Sequence, residues 1–311
     1  MPEPVALAAL VVDAAVGWPR GLYLRVGHPV GLFAKVIAAC ETWLNRALWS
    51  RAARRWGGIL TVMVLVGIAA GAGVVVHVLA ARLAGDQAWI VVALAAWPAL
   101  AQRSLDQHFT RVMTALNADD LAGARTAVGM IVGRDTAALD RNGVARAAIE
   151  SLAESFCDGV IAPLFWLMAA GLPGIWAMKA INTADSLIGH KEAPYRDFGW
   201  AAARLDDVAN FIPARISAGL ICLAGGRGWR ICWRYARCHA SPNAGWPEAA
   251  MAGVLGVRLA GPVSYDGVMA DKPWIGTGPA ADVADMVQAR QVYHRACLAG
   301  WAIAGGMAWL G

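Results

Sequence analysis

The chain has 311 residues, of which 58% are hydrophobic and only 16% charged, and its mean hydropathy is +0.48. A soluble domain carries about 25% charged residues, so these values exclude an ordinary soluble globular protein and point to helices in a bilayer. The net charge of +5 is spread between the apolar runs; no compact basic tract with interleaved aromatics exists, which sets nucleic acid aside as a partner.

The start, Met1-Pro2-Glu3-Pro4, lacks the basic region of a cleavable signal. The apolar stretch near 4–17 contains Asp13 and reads as an uncleaved first membrane segment. Residues 18–58 read as a polar loop with an amphipathic helix, its apolar side marked by Phe33, Ile37, Trp43 and Leu44. Arg51, Arg54 and Arg55 precede the next apolar run, where cytoplasmic anchors belong. Residues 59–81 reach roughly 35 Å as a helix, enough for a tilted crossing. His77 within that run reads as facing the bundle interior. Residues 87–101 supply the second arm of a helical hairpin, and 103–157 are polar with a helical pattern.

Residues 158–180 turn apolar again but are interrupted at Pro163 and by Gly171-Leu172-Pro173-Gly174. The run 208–226 has Pro213 and Arg215 embedded, 227–295 is polar and rich in Gly and Pro, and 296–310 is a last apolar run. The expected fold is all-α: a polytopic membrane bundle in one domain over 1–311, with broken or re-entrant helices and cytoplasmic helical loops. The six cysteines form no C-x-x-C pair and read as small buried hydrophobes.

Basic residues gather in 18–58, 102–157 and 227–295, which places all three on the cytoplasmic side. If 158–180 and 208–226 both crossed fully, 181–207 would face outside, away from nucleotides. The breaks at Pro163 and Pro173 let the chain enter and return, so a cytoplasm-facing cavity built from residues 150–215 is expected.

Three clusters carry the chemistry. Glu150, Glu154 and Asp158 stand four residues apart and share one face of a regular helix. Like charges at that spacing repel, so the stripe requires a counter-charge, either Arg or Lys or a divalent cation. Mg²⁺ favours carboxylate oxygens and substrate phosphates. The second cluster is Asn182-Thr183-Ala184-Asp185-Ser186; the third is Arg204-Leu205-Asp206-Asp207-Val208-Ala209-Asn210, followed by Pro213 and Arg215. In the third, one helix face presents acid and amide together. Asp135 and Asp140 form a further carboxylate pair that reads equally as a helix N-cap, and His28-Pro29 as a turn into a helix. There is no phosphate-loop motif, no dinucleotide glycine fingerprint and no H-E-x-x-H.

These clusters lie within a longer ordered set. It runs from Val132-Gly-Arg134-Asp135-Thr through Glu150-Ser-x-Ala-Glu154 and Asp158-Gly-Val-x-Ala-Pro163 to Lys179-Ala-x-Asn182-Thr-x-Asp185-Ser. Tyr195-Arg-x-Phe-Gly199, Arg204-x-Asp206-Asp207-x-x-Asn210-x-x-Pro213-x-Arg215 and Ser241-Pro-Asn243-Ala-Gly245-x-Pro247-Glu248 follow. With the early His28-Pro29, and Tyr265 and Gly276 downstream, the set resembles the CobD/CbiB family of adenosylcobinamide-phosphate synthases over nearly the whole chain. Two positions depart from the family pattern: Ser155 where Asn is usual, and His190 where Tyr is usual.

The resemblance implies an amide ligation in the bacterial cytoplasmic (inner) membrane, with the active site facing the cytoplasm. Adenosylcobyric acid, a corrinoid, would be joined to aminopropanol or its O-phosphate, driven by ATP. Other membrane enzymes of late cobalamin assembly are implied as neighbours. On that reaction, Glu150, Glu154, Asp158 and Asp185 are expected to hold Mg²⁺, with Asp206 or Asp207 as a further ligand or as the base for the amine. Arg204 and Arg215 are expected to clamp phosphate or the substrate carboxylate, Asn182, Asn210 and Asn243 to orient polar groups, and His28 to contact substrate or nucleotide. Two alternatives use the same scaffold. A non-enzymatic regulatory protein like AmpE would be expected to lose several of the acidic motif residues, which here remain. A corrinoid or anion transporter would suit broken helices and buried charge, but no inverted repeat is visible.

Overall fold

A computed structural model describes residues 4–265 and 267–310, so the Met1–Glu3 start lies outside the described residues. The chain is 77% helical with a few very short strands. In chain order the helices are α1 (Val5–Val16), α2 (Arg20–Val26), α3 (Pro29–Leu44), α4 (Arg51–Ala84), α5 (Ala88–Ala96), α6 (Gln102–Asn117), α7 (Leu121–Gly129) and α8 (Arg141–Phe156). They continue as α9 (Ala162–Ile188), α10 (Tyr195–Phe198), α11 (Trp200–Ala209), α12 (Phe211–Gly225), α13 (Trp229–Tyr235) and α14 (Gly245–Leu255). The strands β1 (Leu259–Ala260), β2 (Val263–Tyr265), β3 (Val268–Ala270) and β4 (Trp274–Ile275) precede the last helix, α15 (Val283–Leu310).

Helix starts follow local chemistry. His28 caps α3, its Nδ1 accepting from the Val30 N–H at 3.2 Å, with Pro29 at the first helical position where no donor is needed. Ser50 caps α4, and Asp120 and Asp140 cap α7 and α8 through the Gly123 and Gly143 N–H groups at 2.8 and 2.7 Å. Asp140 is thus a helix cap.

Contacts gather the chain into two compact units. The first comprises residues 1–101, 162–210 and 304–311; the second, 102–161 and 211–303. In the first unit, α4 lies along α9, and Phe33, Ile37, Val62, Leu65, Ile188 and Phe198 form its core. Gly73 lets the two long helices close: a Cβ there would stand 2.8 Å from the Pro173 backbone. The opposite side of α4 exposes Leu60, Met63, Ile68, Val75 and Leu79. A soluble helix would bury such a surface; lipid needs no covering for it.

Two stretches, within Arg51–Asn117 and Arg141–Ile188, are long and apolar enough to cross a membrane. The number rises to four if two bent pairs, Val5–Val16 with Arg20–Leu44 and Trp200–Ala209 with Phe211–Gly225, each count as one span. The first pair bends by 102°, so part of the expected loop 18–58 is helix that shares an apolar unit with α1. Its predicted amphipathic helix is α3, burying Phe33 and Ile37 but leaving Trp43 exposed. The predicted break in 158–180 falls at Ala170 and Gly171, where the helical dihedrals fail. Gly171, at φ 63° and ψ −155°, occupies a region that only glycine enters without strain.

The second unit assembles α6–α8 and α12–α14, the first part of α15 and the strands. β1 pairs with β4, Leu259 opposite Ile275, and β2 with β3, Val263 opposite Ala270, both antiparallel. One bidentate ion pair ties its first helix to its last: Arg290 on α15 donates to both oxygens of Asp106 on α6 at 2.7 and 2.9 Å. His294 lies 2.8 Å from the same carboxylate.

Candidate functional site

The predicted site residues fall into two groups, one in each unit. In the second unit, Glu150 and Glu154 on α8 line a polar cavity of about 210 Å³ together with Arg134, His239, Glu248 and Lys272. Glu150 is buried and fully engaged. Its Oε2 takes an ion pair from Arg134, its Oε1 accepts the Ala260 N–H at 2.6 Å, and Arg146 Nε stands 3.7 Å from the same oxygen. The counter-charge that the acidic stripe requires is therefore supplied, at Glu150, by arginine.

Neighbouring residues hold Arg134 and Ala260 in place. Asp135 accepts from the Ser264 hydroxyl at 2.6 Å and the Gly267 N–H at 2.9 Å, while its own N–H donates to the Ser264 carbonyl at 3.0 Å. These bonds fasten the loop carrying Arg134 to the β2–β3 pair. Ala260 has φ +57°, an uncommon conformation for a residue with a side chain, and there its N–H meets Glu150. Trp274, opposite Ala260 in the β1–β4 pair, lies beneath two guanidinium groups, Arg146 at 5.0 Å and Arg258 at 4.6 Å from the ring centroid.

Glu248, on α14, is buried in the same cavity wall, 3.8 Å from His239 Nε2. The His239 Nδ1 accepts the Ser241 N–H at 3.0 Å, which leaves the neutral ring's proton on Nε2, towards Glu248. Burial, and after it the charges of Glu150 and Glu154, push the Glu248 carboxyl well above the usual carboxylate range, against the pull of Arg134 and Lys272. Glu154 is the exposed carboxylate of the cavity.

Asp158 lies just beyond, on a π-helical turn spanning Cys157–Ile161. Such a turn bonds i to i+5 instead of i to i+4. The 3.6-residue register that would stack Asp158 over Glu154 does not hold through it. Arg215 and Asn243, both predicted to meet substrate, bind one another: Arg215 Nη1 donates to Asn243 Oδ1 at 2.8 Å. Arg215 also donates to the Phe211 and Pro242 carbonyls at 2.7 and 3.3 Å and lies over the Phe211 and Trp246 rings.

In the first unit, Asp206 on α11 is the centre of the second group. It accepts from Asn210 Nδ2 at 3.0 Å and, at the limit of a hydrogen bond, from Asn182 Nδ2 at 3.5 Å, the latter reaching over from α9. Asn210 is buried. Arg204 pairs with Asp207 at 3.0 Å, one turn along the same helix. Asp185 sits one turn beyond Asn182 towards the end of α9, half-buried. His28 is the α3 cap described above, with its ring against Trp18 at 4.9 Å between centroids. His190 is exposed, its ring tilted against Tyr195 at 5.9 Å between centroids.

Among the described residues, no group of three or more His, Cys, Asp or Glu side chains is placed to hold a metal ion. Glu150, Glu154 and Asp158 belong to one unit and Asp185 to the other. Arg134, His239, Glu248 and Lys272 were absent from the predicted site. Arg134 and Glu248 lie in the ordered motif set, which is the signal that could have found them; Lys272 and His239 carry none.

The profile of the CobD/Cbib protein family matches residues 6–293. A protein called cobalamin biosynthesis protein CobD from Rhodobacter capsulatus is 46% identical over 308 residues, covering 97% of this chain and 95% of that protein. Proteins of the same name from a Sinorhizobium species and from Rhizobium meliloti are 46% and 45% identical, over 96% and 94% of this chain and 96% and 93% of their own lengths. No solved structure matches. Matched from near its first residue to near its last by the profile and by these relatives, the chain belongs to the CobD/CbiB family.

Proposed function

We propose that this cobalamin-biosynthesis family member is an ATP-dependent amide ligase that joins the free propionate carboxyl of adenosylcobyric acid to aminopropanol or its O-phosphate. The observation that carries the reading is near-complete, 46% identical alignment with proteins named for cobalamin biosynthesis, on a chain that retains the family's charged motifs.

A carboxylate has a poor leaving group, so the reaction needs activation. A carboxylate oxygen attacks the γ-phosphorus of ATP, the bond to ADP breaks, and an acyl phosphate forms. The amine nitrogen then attacks the acyl carbon, the bond to phosphate breaks, and the amine gives up a proton to a basic carboxylate. Phosphoryl transfer asks the protein mainly for positioning and charge neutralisation.

We assign Asp206 and Asp207, with Arg204, to the phosphoryl half. Mg²⁺ is usually held by one or two carboxylates plus substrate phosphates, and neighbouring half-buried Asp206 and Asp207 provide that donor set. The ion would neutralise phosphate charge. Asn182 and Asn210 hold the Asp206 carboxylate in one orientation, and Arg204 does the same for Asp207. The active site would face the cytoplasm, where ATP is, with the apolar faces of the long helices in the inner membrane.

The test is amide formation and ADP release by the detergent-purified chain, supplied with cobyric acid, aminopropanol O-phosphate and Mg-ATP. Asp206→Asn and Asp207→Asn should each lower kcat/KM for ATP by about 100-fold, the scale for losing one group that stabilises developing charge. Unchanged rates in both variants reject the assignment; no amide from the wild type rejects the ligase.

A further inference from the structure

In the first unit, a cleft of about 510 Å³ opens at the start of α4, lined by Arg51, Ala52, Arg55, Trp56, Ile59 and Trp200. Arg51 and Arg55 stand one turn apart and reach the same carboxylate, Asp197 on α10, at 3.2 and 3.4 Å. That carboxylate is buried, whereas the Arg51 and Arg55 side chains are 71% and 50% exposed. Two positive charges thus share one negative charge, and the excess lies on the exposed side. Arg55 also lies over the Trp200 ring, 5.7 Å from its centroid.

The surroundings of the cleft narrow its occupant. Trp56 begins a stripe of exposed residues at helical spacing along α4, continued by Leu60, Met63, Gly67, Gly71 and Val75. An apolar stripe of that length on a long helix belongs to lipid. Trp43 and Trp49, just before α4 in the chain, are exposed as well, and indoles gather where a helix passes from hydrocarbon to headgroups. The cleft therefore sits at headgroup depth, with positive charge beside a bed for acyl chains. The ammonium of a zwitterionic headgroup would meet the same positive excess, since Asp197 is already engaged by both arginines. A headgroup carrying only a phosphodiester matches the charge.

We propose that this cleft is a site for an anionic phospholipid, its phosphodiester held by Arg51 and Arg55 beside the Trp56 and Trp200 rings, its acyl chains along the exposed stripe of α4. Guanidinium forks match phosphate oxygens in pairs. Trp200 opens α11, the helix that carries Asp206 and Asp207, so a lipid seated here ties the start of that helix to α4. The site stands whether or not the chain is a ligase.

Native mass spectrometry of the detergent-purified full chain tests the assignment. The probes are palmitoyl-oleoyl phosphatidylglycerol and the matching phosphatidylcholine, with water-soluble glycerol phosphate as competitor. The first phosphatidylglycerol should be held about tenfold more tightly than phosphatidylcholine, the scale for two basic residues at a headgroup surface. Arg51→Gln and Arg55→Gln should each cut that preference about fivefold and leave phosphatidylcholine binding as in the wild type. Arg82→Gln removes the same charge from the last turn of α4 and should leave the preference unchanged. Asp197→Asn releases both guanidiniums and should raise the preference, which a merely structural role for Asp197 would not do. Arg51 and Arg55 are exposed, so their replacement spares the fold, and these two variants decide even if Asp197→Asn does not fold. Equal affinity for the two lipids, no binding of either, or wild-type preference in both arginine variants overturns the proposal. So does a loss in Arg82→Gln as large as theirs, or a lowered preference in folded Asp197→Asn. Displacement of phosphatidylglycerol by glycerol phosphate also overturns it, giving the cleft to a soluble phosphate.

Discussion

Glu150 in the second unit and Asp206 in the first are both helical carboxylates, and the fold answers their charge in two ways. Glu150 is met by charge and backbone: Arg134, with Arg146 behind it, and the N–H of a residue held at positive φ. Asp206 is met by the amides of Asn210 and Asn182. The first arrangement is a closed ion pair whose oxygens have nothing left to offer a ligand. The second orients a carboxylate through neutral amides, with the charge of Lys179 also acting on it, which suits a group that must meet phosphate charge or a cation. Spacing reads the first as an acidic stripe that needs a counter-charge and the second as acid and amide on one helix face; the structure supplies the counter-charge at Glu150 as arginine.

The largest effect expected from that contrast is on folding. Glu150→Ala strands the buried Arg134 guanidinium beside Arg146, and breaking one side of a buried pair typically costs about 3–5 kcal/mol. A strong drop in the thermal midpoint of the detergent-solubilised protein would bear this out. A midpoint within a degree or two of wild type would show that Arg134 finds solvent when its partner leaves.

This outcome also marks what the sequence could disclose. Apolar run length located the helices well: 59–81 lies within α4, and the Gly171-Leu172-Pro173 break falls where the α9 dihedrals leave the helical region. The strands were invisible because each has two or three residues and pairs with a segment too short to show alternation. Asp158 was misplaced by regular helix geometry, since no residue type announces a π turn. Glu248 was passed over because it sits in an otherwise apolar helix, Gly245–Leu255, and its neighbours in space, Glu150 and Glu154, are about a hundred residues away in the chain. Arg215 and Asn243 show the reverse: each read as a ligand-binding group, and each is bound to the other.

A smaller effect should follow from loosening the amide side of the comparison. Asn210→Ala removes a buried donor from a charged acceptor, a loss of about 1.5–3 kcal/mol. If orientation of Asp206 matters to the phosphoryl half, ATP turnover should fall by more than the stability change explains, measured at a temperature where the variant is fully folded. Loss of stability with unchanged kcat/KM for ATP would make Asn210 a packing residue and Asp206 its partner.

The smallest effect concerns pH and belongs to the cavity of the second unit. Burial first, then Glu150 and Glu154, raise the Glu248 carboxyl above its unfolded value. Between the two values the folded state therefore binds more protons than the unfolded state. Stability falls as pH rises through that window, and is fully present only below the unfolded carboxylate range. Arg134 and Lys272 pull towards an ionised Glu248 at every pH. Glu248→Gln removes the carboxyl and keeps the shape, so the midpoint of the variant should decline less steeply from pH 5 to pH 8.5 than that of the wild type. The two curves should lie closest at the acid end, nearest the unfolded carboxylate range, and separate as pH rises. Parallel curves would mean that Arg134 and Lys272 together already balance Glu248, and that the cavity holds an ionised carboxylate across the whole range.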